Sequence, residues 1–259
     1  MAWARGSDGD ARAAARAWTQ RARVRFCDSQ RWEHGVVVRA GRFSRYFDLN
    51  VLRVEGDPRL GVNALIDVCD HALADLDHRR IDFDEASVAE PLRAEFRRQG
   101  FRSTRLVLMR FDGAPSPPTS FPVVEVDYDA VRELRRVWHQ EDFPGLDDAQ
   151  FEAQAREVRL ALGTRTLAAY EDGQLIAYAA LDVGDREIEI GALYVLPEHR
   201  GHGVGTALTL AAIAASDRPE NLWICADDED RPKQLYARLG FRPVITWTEF
   251  LRPPSQASQ

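Results

Sequence analysis

The chain has 259 residues, of which 45% are hydrophobic and 29% are charged, and its formal net charge is −7. This length and balance are typical of a globular protein with a sizeable core, arranged as one large or two small domains. An acidic chain without a long apolar run argues against nucleic-acid binding and against a membrane span. Cys27, Cys69 and Cys225 are far apart and form no Cys-x-x-Cys pair, which predicts a reduced, cytoplasmic protein without a zinc site.

The N-terminal half, residues 17–111, predicts an α/β unit that follows a flexible stretch, residues 1–16, either as a frayed end or with a short helix that starts near Asp10. Alternating or β-branched apolar residues predict strands at residues 24–26, 36–39, 46–54, 80–84 and 104–110. Apolar residues at helical spacing predict helices at residues 60–76 and 87–99. The next segment is rich in Pro and Ser, and it predicts a linker at residues 112–122.

The C-terminal half, residues 123–252, predicts a second α/β unit, followed by a flexible tail at residues 253–259. Its predicted strands are residues 123–126, 165–170, 175–183, 187–195, 222–226 and 244–251. Its predicted helices are residues 129–140, 148–162, 206–215 and 233–239. The predicted order of elements is therefore β-α-α-β-β-β-α-β-α-β.

A glycine-rich turn joins a strand to a helix within residues 193–210. Apolar strand residues end at Leu196, glycines occupy every second position of residues 201–205, and Thr206 opens an apolar helix. Such a turn presents free backbone N–H groups and the positive end of a helix dipole, so it predicts a phosphate site. The spacing matches neither the dinucleotide fingerprint nor the P-loop, which argues against nucleotide hydrolysis. The alternative is a tight turn that only packs the helix on the sheet.

The turn resembles the acetyl-CoA pyrophosphate loop of the GCN5-related N-acetyltransferases (GNAT), whose pattern is Gln/Arg-x-x-Gly-x-Gly/Ala. Arg200, Gly203 and Gly205 fill that pattern, and the order of predicted elements matches the family fold. The resemblance implies that the strand before the turn is bulged and that its backbone pairs with pantetheine like an extra strand, through Leu193, Tyr194 and Val195. It implies that the pyrophosphate of acetyl-CoA binds at Arg200, Gly201, His202, Gly203, Val204, Gly205 and Thr206.

A second stretch also resembles the family, whose pattern there is Leu-Tyr-x-x-x-Gly-Phe. Leu235, Tyr236, Gly240 and Phe241 fill this pattern. The resemblance implies that the Tyr236 phenol protonates the leaving thiolate, while the alternative is a core tyrosine on an amphipathic helix. Glu229 stands where the family often has an asparagine that hydrogen-bonds pantetheine, so one family contact is missing from this sequence.

Acidic side chains near the implied thioester site are candidates for the base that takes the proton of the amine. Glu187 and Glu189 lie on one face of the predicted strand, and Glu189 is nearer the thioester; the alternative is a solvent-facing strand side. His139, Glu141 and Asp142, where the first helix of this half ends and the chain leads to the second, are candidates for lining the substrate mouth, or else belong to an ordinary polar loop. No carboxylate–histidine spacing predicts a metal ligand.

The two halves of the sequence resemble each other. Gly100 and Gly240 each begin a Gly-Phe-Arg stretch that leads into an apolar strand, and the same offset pairs Phe96 with Tyr236. This predicts a tandem pair of the same fold, against the alternative of chance similarity. Phe96 has no proton to donate and the first half lacks the glycine loop, so the first copy is predicted to be degenerate and to bind no cofactor productively.

The sequence therefore predicts an α/β (α+β) protein of two tandem acyl-CoA N-acyltransferase folds, with mixed sheets and helices on both faces. The predicted activity moves an acetyl group from acetyl-CoA, a cosubstrate, to a primary amine by direct attack on the thioester. The acceptor is expected to be a small molecule or an aminoacyl compound. The alternative is a non-catalytic acetyl-CoA-binding regulatory or scaffold protein. We expect a monomer or homodimer, and no metal, nucleic-acid or membrane partner.

Overall fold

The computed structural model describes residues 8–114, 121–146 and 148–254. The chain divides into two compact units: a terminal unit, Met1–Val107 with Val244–Gln259, and a central unit, Leu108–Pro243. The ends of the predicted flexible termini and the middle of the predicted linker (residues 115–120) lie outside the described residues. The predicted domains, residues 17–111 and 123–252, have other bounds than these units and stay a prediction. Within the described residues, no helix is both long and apolar enough to cross a bilayer.

The terminal unit is built on a mixed sheet. Its strands are β1 (Asp28–Trp32), β2 (Gly35–Arg39), β3 (Val51–Val54), β4 (Arg79–Phe83), β5 (Arg102–Phe111) and β11 (Phe241–Arg252), the last two of which also give residues to the central unit. The strand order is β1-β2-β3-β4-β11-β5. Only β3 and β4 are parallel among the pairs from β1 to β11. Its helices are α1 (Asp8–Phe26), α2 (Val62–Ala72), α3 (Ala86–Ala89) and α4 (Arg93–Arg98).

The strand predicted at residues 24–26 is wrong, because these residues end helix α1. The helix is continuous from residue 8, so part of the stretch predicted to be flexible is helical. It buries Ala15 and Trp18. Near its C-terminal end, Arg23 reaches the buried carboxylate of Asp82 at 2.5 Å. These contacts with distant residues stabilise the helix over a stretch whose local pattern favoured a strand.

The strand predicted at residues 46–54 begins only at Val51, because residues 47–49 form a short 3-10 turn. Asn50 holds this turn from inside the protein. Its amide oxygen accepts the N–H of Ala40 and its amide nitrogen donates to the carbonyl of Phe43, both at 2.9 Å. The fully buried amide thereby satisfies backbone groups that a strand would have paired with a neighbouring strand.

The central unit contains the elements predicted for residues 123–239. Its strands are β6 (Val123–Val126), β7 (Arg165–Glu171), β8 (Gln174–Val183), β9 (Ile188–Val195) and β10 (Leu222–Asp227). Its helices are α5 (Arg132–Asp142), α6 (Asp148–Ala161), α7 (Val204–Ala215) and α8 (Pro232–Arg238). The strand order is β10-β9-β8-β7-β6. Neighbouring strands are antiparallel from β6 to β9, and β9 and β10 are parallel.

Helices cover both faces of the central sheet. On one face, the Trp138 ring of α5 stacks on the Tyr194 ring of β9 with centroids 5.6 Å apart. On the other face, the side chains of Leu193 and Val195 pack close to Gly205 of α7. A Cβ built on Gly205 would lie 3.9 Å from Leu193 and 4.0 Å from Val195. Strand β9 is therefore held between α5 and α7.

The two Gly-Phe turns have the same local geometry. Gly100 and Gly240 both have positive φ, +81° and +101°. The N–H of each donates to the carbonyl three residues earlier, at 3.1 and 3.2 Å. The aromatic ring four residues before each glycine, Phe96 or Tyr236, meets the following phenylalanine edge-on. This agreement supports the predicted internal repeat, with a phenol in the second copy alone.

Candidate functional site

Strands β9 and β10 pair along only part of their length. They are joined over residues 188–190 of β9 and 222–224 of β10. Gly191 is then an extra residue in β9, a β-bulge relative to β8. Beyond the bulge, the described residues 192–195 pair with β8 but not with β10. This opens one edge of β9, where a ligand that carries amide groups can pair as an additional strand.

The open edge presents the backbone groups of Leu193 and Val195. The N–H of Leu196 donates to the backbone of β8 at 3.0 Å, so strand alternation directs Tyr194 toward β8 and its two neighbours away from it. The carbonyl of Val195 points to the open edge, as its N–H does. This carbonyl accepts a hydrogen bond from Nε of Arg200 at 2.8 Å. Of the three residues predicted to pair with pantetheine, two therefore offer their N–H groups to the open edge.

The corresponding strands of the terminal unit, β3 and β4, show no such opening. Their parallel pairing continues to the last residues, Val54 with Phe83. Past that point, the N–H of Asp84 donates to the carbonyl of Val54 at 3.0 Å. The carbonyl of Val54 at this end of β3 is therefore already paired, and that the first copy binds no cofactor productively stays a prediction.

The glycine loop ends at the N-terminus of α7. Gly201 and Gly203 have φ of +81° and +87°, and a Cβ on either would meet nothing within 4 Å. Gly203 is the N-cap, and the first helical bond runs from the N–H of Ala207 to its carbonyl at 3.0 Å. Glycine is thus required here by conformation, and the space beside the loop is open to an anion. The helix begins at Val204, two residues before the predicted start, so Thr206 lies in its first turn.

The side chain of Arg200 is half exposed, but it also makes several contacts within the protein. Besides its bond to Val195, its guanidinium donates to Oε2 of Glu141 at 3.0 Å and lies 5.4 Å from the centre of the Tyr194 ring. The hydroxyl of Tyr194 donates to the other oxygen of Glu141 at 2.6 Å. The predicted substrate-lining residue Glu141 therefore joins the end of α5 to β9 and to the glycine loop.

These contacts shift the ionisation of both acidic groups. The pKa of Tyr194 is raised, first by burial of the phenol and then by its hydrogen bond to the carboxylate. Burial opposes ionisation of Glu141, but the hydrogen bonds from Tyr194 and Arg200 outweigh it and lower its pKa. Glu141 is therefore an anion and Tyr194 a neutral donor throughout the physiological range.

Tyr236 lies on the short helix α8. Its ring is 5% exposed, and its hydroxyl has no hydrogen-bond partner among the described residues. Burial, and next the neighbouring Cys225, raise its pKa to about 12. The side chain of the preceding Leu235 is 3.8 Å from where a Cβ on Gly205 would lie, so α8 adjoins the helix of the glycine loop. The phenol is protonated and donates its proton to no other described residue, as is expected of a proton donor.

The two candidate bases differ in their positions. Glu189 is in β9, opposite Asp182 of β8, while Tyr194 is opposite Tyr178. Since Asp182 and Tyr178 are four residues apart on β8, the bulge brings Glu189 and Tyr194 to one face of the sheet. Glu189 is 9% exposed. Glu187 precedes the strand, so the prediction that both carboxylates share a strand face is wrong.

His139 does not line a substrate mouth. It is 6% exposed, and its ring stacks on Phe151 of α6 with centroids 4.0 Å apart and planes 9° from parallel. A second ring, Phe143, lies 5.3 Å away. Its place in the packing of α5 against α6 corrects the prediction that it faces the acceptor.

The bulge that the family resemblance implies in the strand before the glycine loop falls at Gly191, a position the sequence analysis did not single out. A glycine is needed there because a Cβ would lie 2.5 Å from the carboxylate of Asp182, and a glycine inside a strand pattern could have indicated the position. The close packing of Gly240 was not predicted from the sequence: a Cβ there would be 2.8 Å from Cα of Gly113. The glycine of the Leu-Tyr-x-x-x-Gly-Phe pattern thus fits both a positive φ and a close backbone approach.

Comparison with known proteins identifies the class to which this site belongs. Residues 128–241 match the sequence model of the Acetyltransferase (GNAT) family. That range contains the open strand edge, the glycine loop and Tyr236. The chain therefore contains a GNAT-family domain.

Individual relatives agree with this assignment. Uncharacterised N-acetyltransferases of Mycobacterium tuberculosis and Mycobacterium bovis are 33% identical over 101 residues, which is 38% of this chain and 62% of theirs. The match thus spans about three fifths of the length of these relatives.

Two solved structures share the fold over most of the chain. A functionally unknown conserved protein from Staphylococcus epidermidis has a TM-score of 0.68 at 16% identity, covering 88% of this chain and 95% of that one. A GCN5-related N-acetyltransferase from Kribbella flavida has a TM-score of 0.55 at 19% identity, covering 95% and 96%. The predicted fold class is confirmed.

Proposed function

We propose that this protein is an acetyl-CoA-dependent N-acetyltransferase with one active site, in the central unit. The observation that carries the proposal is the open edge of β9 directly before the glycine loop. An acyl-CoA has amide groups in its pantetheine arm and a pyrophosphate beyond them, and the edge and the loop suit these two parts in that order. The GNAT-family match over the same residues supports this donor.

The cofactor is held by backbone groups in this proposal. The pyrophosphate accepts hydrogen bonds from the first N–H groups of α7, from Val204 to Thr206, and is favoured by the helix dipole. The pantetheine amides pair with Leu193 and Val195. The thioester carbonyl lies along the same edge, where a backbone N–H stabilises the oxyanion that forms during attack.

The chemistry is a direct transfer. The neutral amine attacks the thioester carbonyl, a C–N bond forms, and the C–S bond breaks as the oxyanion collapses. Glu189 accepts the proton that the amine loses, directly or through water, and Tyr236 donates its proton to the departing thiolate. Because burial raises the pKa of Tyr236 to about 12, the phenol is protonated at neutral pH.

We further propose a primary amine of a small molecule or an aminoacyl compound as the acceptor. The compartment proposed is the cytoplasm, which fits the absence of a disulfide at Cys27, Cys69 and Cys225 in the described part of the chain. The assembly proposed is a monomer or homodimer.

The test combines calorimetric titration of acetyl-CoA with thiol release in the presence of a panel of amines. Gly203→Glu places a carboxylate where the pyrophosphate is proposed to bind, and acetyl-CoA binding is expected to disappear. Gly163→Glu is the matched control, since Gly163 also has a positive φ, +72°, and lies in the turn before β7. Equal binding by the two variants would contradict the loop assignment.

The same experiment separates the enzyme from a non-catalytic acetyl-CoA-binding scaffold. Glu229, which stands in place of the family asparagine, favours the scaffold. Its N–H is engaged by the carboxylate of Asp227 at 2.8 Å. Tight binding without thiol release across small amines, aminoacyl compounds and peptides would support the scaffold, and no binding would overturn both.

A further inference from the structure

The contacts of Glu141 point to a function that no sequence pattern assigns to it. We propose that Glu141 is a positioning residue, which fixes the open edge of β9 and the glycine loop in the geometry that acetyl-CoA needs. This proposal rests on the proposed function of the same site. It replaces the prediction that Glu141 contacts the acceptor amine.

Glu141 accepts hydrogen bonds from Arg200 and from Tyr194, and these two residues form the two arms of one network. The first arm runs through Arg200. This arginine follows β9 by only five residues, and its Nε donates back to the carbonyl of Val195 at 2.8 Å. That carbonyl belongs to the open edge, so the guanidinium caps the edge at its end and limits how far a pairing ligand can extend. Glu141 accepts the other side of the guanidinium at 3.0 Å and thereby fixes the cap to helix α5.

The second arm runs through Tyr194. Its hydroxyl donates to Glu141 at 2.6 Å, and the centre of its ring lies 5.6 Å from that of Trp138 and 5.4 Å from the guanidinium carbon of Arg200. Tyr194 is 4% exposed. Its backbone separates the two residues whose N–H groups face the ligand, so holding its side chain fixes the orientation of both.

Glu141 accepts a hydrogen bond from each arm. A carboxylate has two oxygens, and here one accepts from the phenol and the other from the guanidinium. The ion pair is partly exposed, with half of the Arg200 side chain in solvent. The attraction between the two charges therefore contributes only modestly to stability. The carboxylate acts mainly through the geometry that its two hydrogen bonds impose together.

The expected consequence is a specific kinetic defect. Glu141→Gln keeps the size of the side chain but loses the charge that holds Arg200. We expect KM for acetyl-CoA to rise roughly tenfold, the effect of about one charge-assisted hydrogen bond, with kcat at saturating acetyl-CoA within about twofold of the unmodified enzyme. KM for the amine should not change.

The experiment compares Glu141→Gln, Tyr194→Phe and the double variant. Because both substitutions interrupt one network, the double variant should have a KM for acetyl-CoA close to that of Glu141→Gln alone. Glu133→Gln is the matched control, since Glu133 lies on the same helix and pairs with Arg136 on the surface at 3.1 Å. That control should leave KM unchanged.

Each other outcome has a definite meaning. An unchanged KM for acetyl-CoA in both single variants, or effects that simply multiply in the double variant, would overturn the positioning role while leaving the proposed function intact. A raised KM for the amine alone would return Glu141 to acceptor binding. If the unmodified protein binds acetyl-CoA without turnover, the same comparison is made on the calorimetric Kd, and absence of binding overturns both proposals. Should Glu141→Gln fold poorly, Tyr194→Phe, which removes one oxygen atom, decides the question.

Discussion

Gly240→Ala tests the tightest backbone approach in the central unit. Gly240 has φ of +101°, and a Cβ there would lie 2.8 Å from Cα and 3.2 Å from N of Gly113. The N–H of Asp112 donates to the carbonyl of Gly240 at 2.9 Å, so the two segments cannot separate without losing that bond. A positive φ costs alanine about 1–2 kcal/mol, and overpacking against backbone adds about 1–3 kcal/mol. We expect the free energy of unfolding to fall by about 2–5 kcal/mol.

The control is Gly100→Ala, at the repeat-related position of the terminal unit. Gly100 has φ of +81°, but the nearest atom to its Cβ would be a side-chain carbon of Arg252 at 3.9 Å. Only the conformational cost of about 1–2 kcal/mol applies there. Urea unfolding, followed by tryptophan fluorescence and circular dichroism, measures both variants, each on the transition of its own unit if the units unfold separately. Equal losses in the two variants would refute the close approach of Gly113.

Three further predictions concern catalysis, a buried ion pair and acid stability. Tyr236→Phe should lower kcat for thiol release about 100-fold with little change in the calorimetric Kd of acetyl-CoA, and an unchanged kcat would contradict the donor role. Glu152→Gln removes the partner of the buried Arg135, at 2.9 Å, and should cost about 3 kcal/mol in urea unfolding, where the exposed Glu133→Gln costs under about 0.5. Burial lowers the pKa of His78 from 6.5 to about 4. The folded state therefore binds that proton less readily than the unfolded state, so stability present above pH 6.5 is lost as the pH falls toward 4, by up to about 3 kcal/mol. A His78→Gln variant with the same slope in that pH window would contradict this assignment.

The type and order of most elements could be predicted because they depend on local patterns. Apolar residues at helical spacing predicted helices α5 to α8, and alternating or β-branched apolar residues predicted strands β7 to β10. The errors fall where distant contacts decide. Residues 24–26 continue a helix that Arg23 ties to Asp82, 59 positions away, and the start of β3 is delayed by the buried amide of Asn50. No local pattern contains either contact.

The candidate site divides in the same way. The glycine loop and Tyr236 could be predicted because positive φ values and a fixed helical spacing leave a residue pattern. The contacts of Glu141 could not, since its two partners are 53 and 59 residues away. The prediction for His139 was wrong because a polar residue suggested an exposed position. Its ring is instead stacked on Phe151 between helices α5 and α6.

The division of the last strand between the units has a consequence for biosynthesis. Residues 244–252 of β11 belong to the terminal unit, where they pair with β4. Chain growth from the ribosome delivers the complete central unit, residues 108–243, before any of these residues emerge. The unit that contains the first residue is therefore finished last, and until then β4 lacks one neighbour and presents an unpaired edge. A released chain truncated after Pro243 should carry a protease-resistant central unit and a protease-sensitive N-terminal segment.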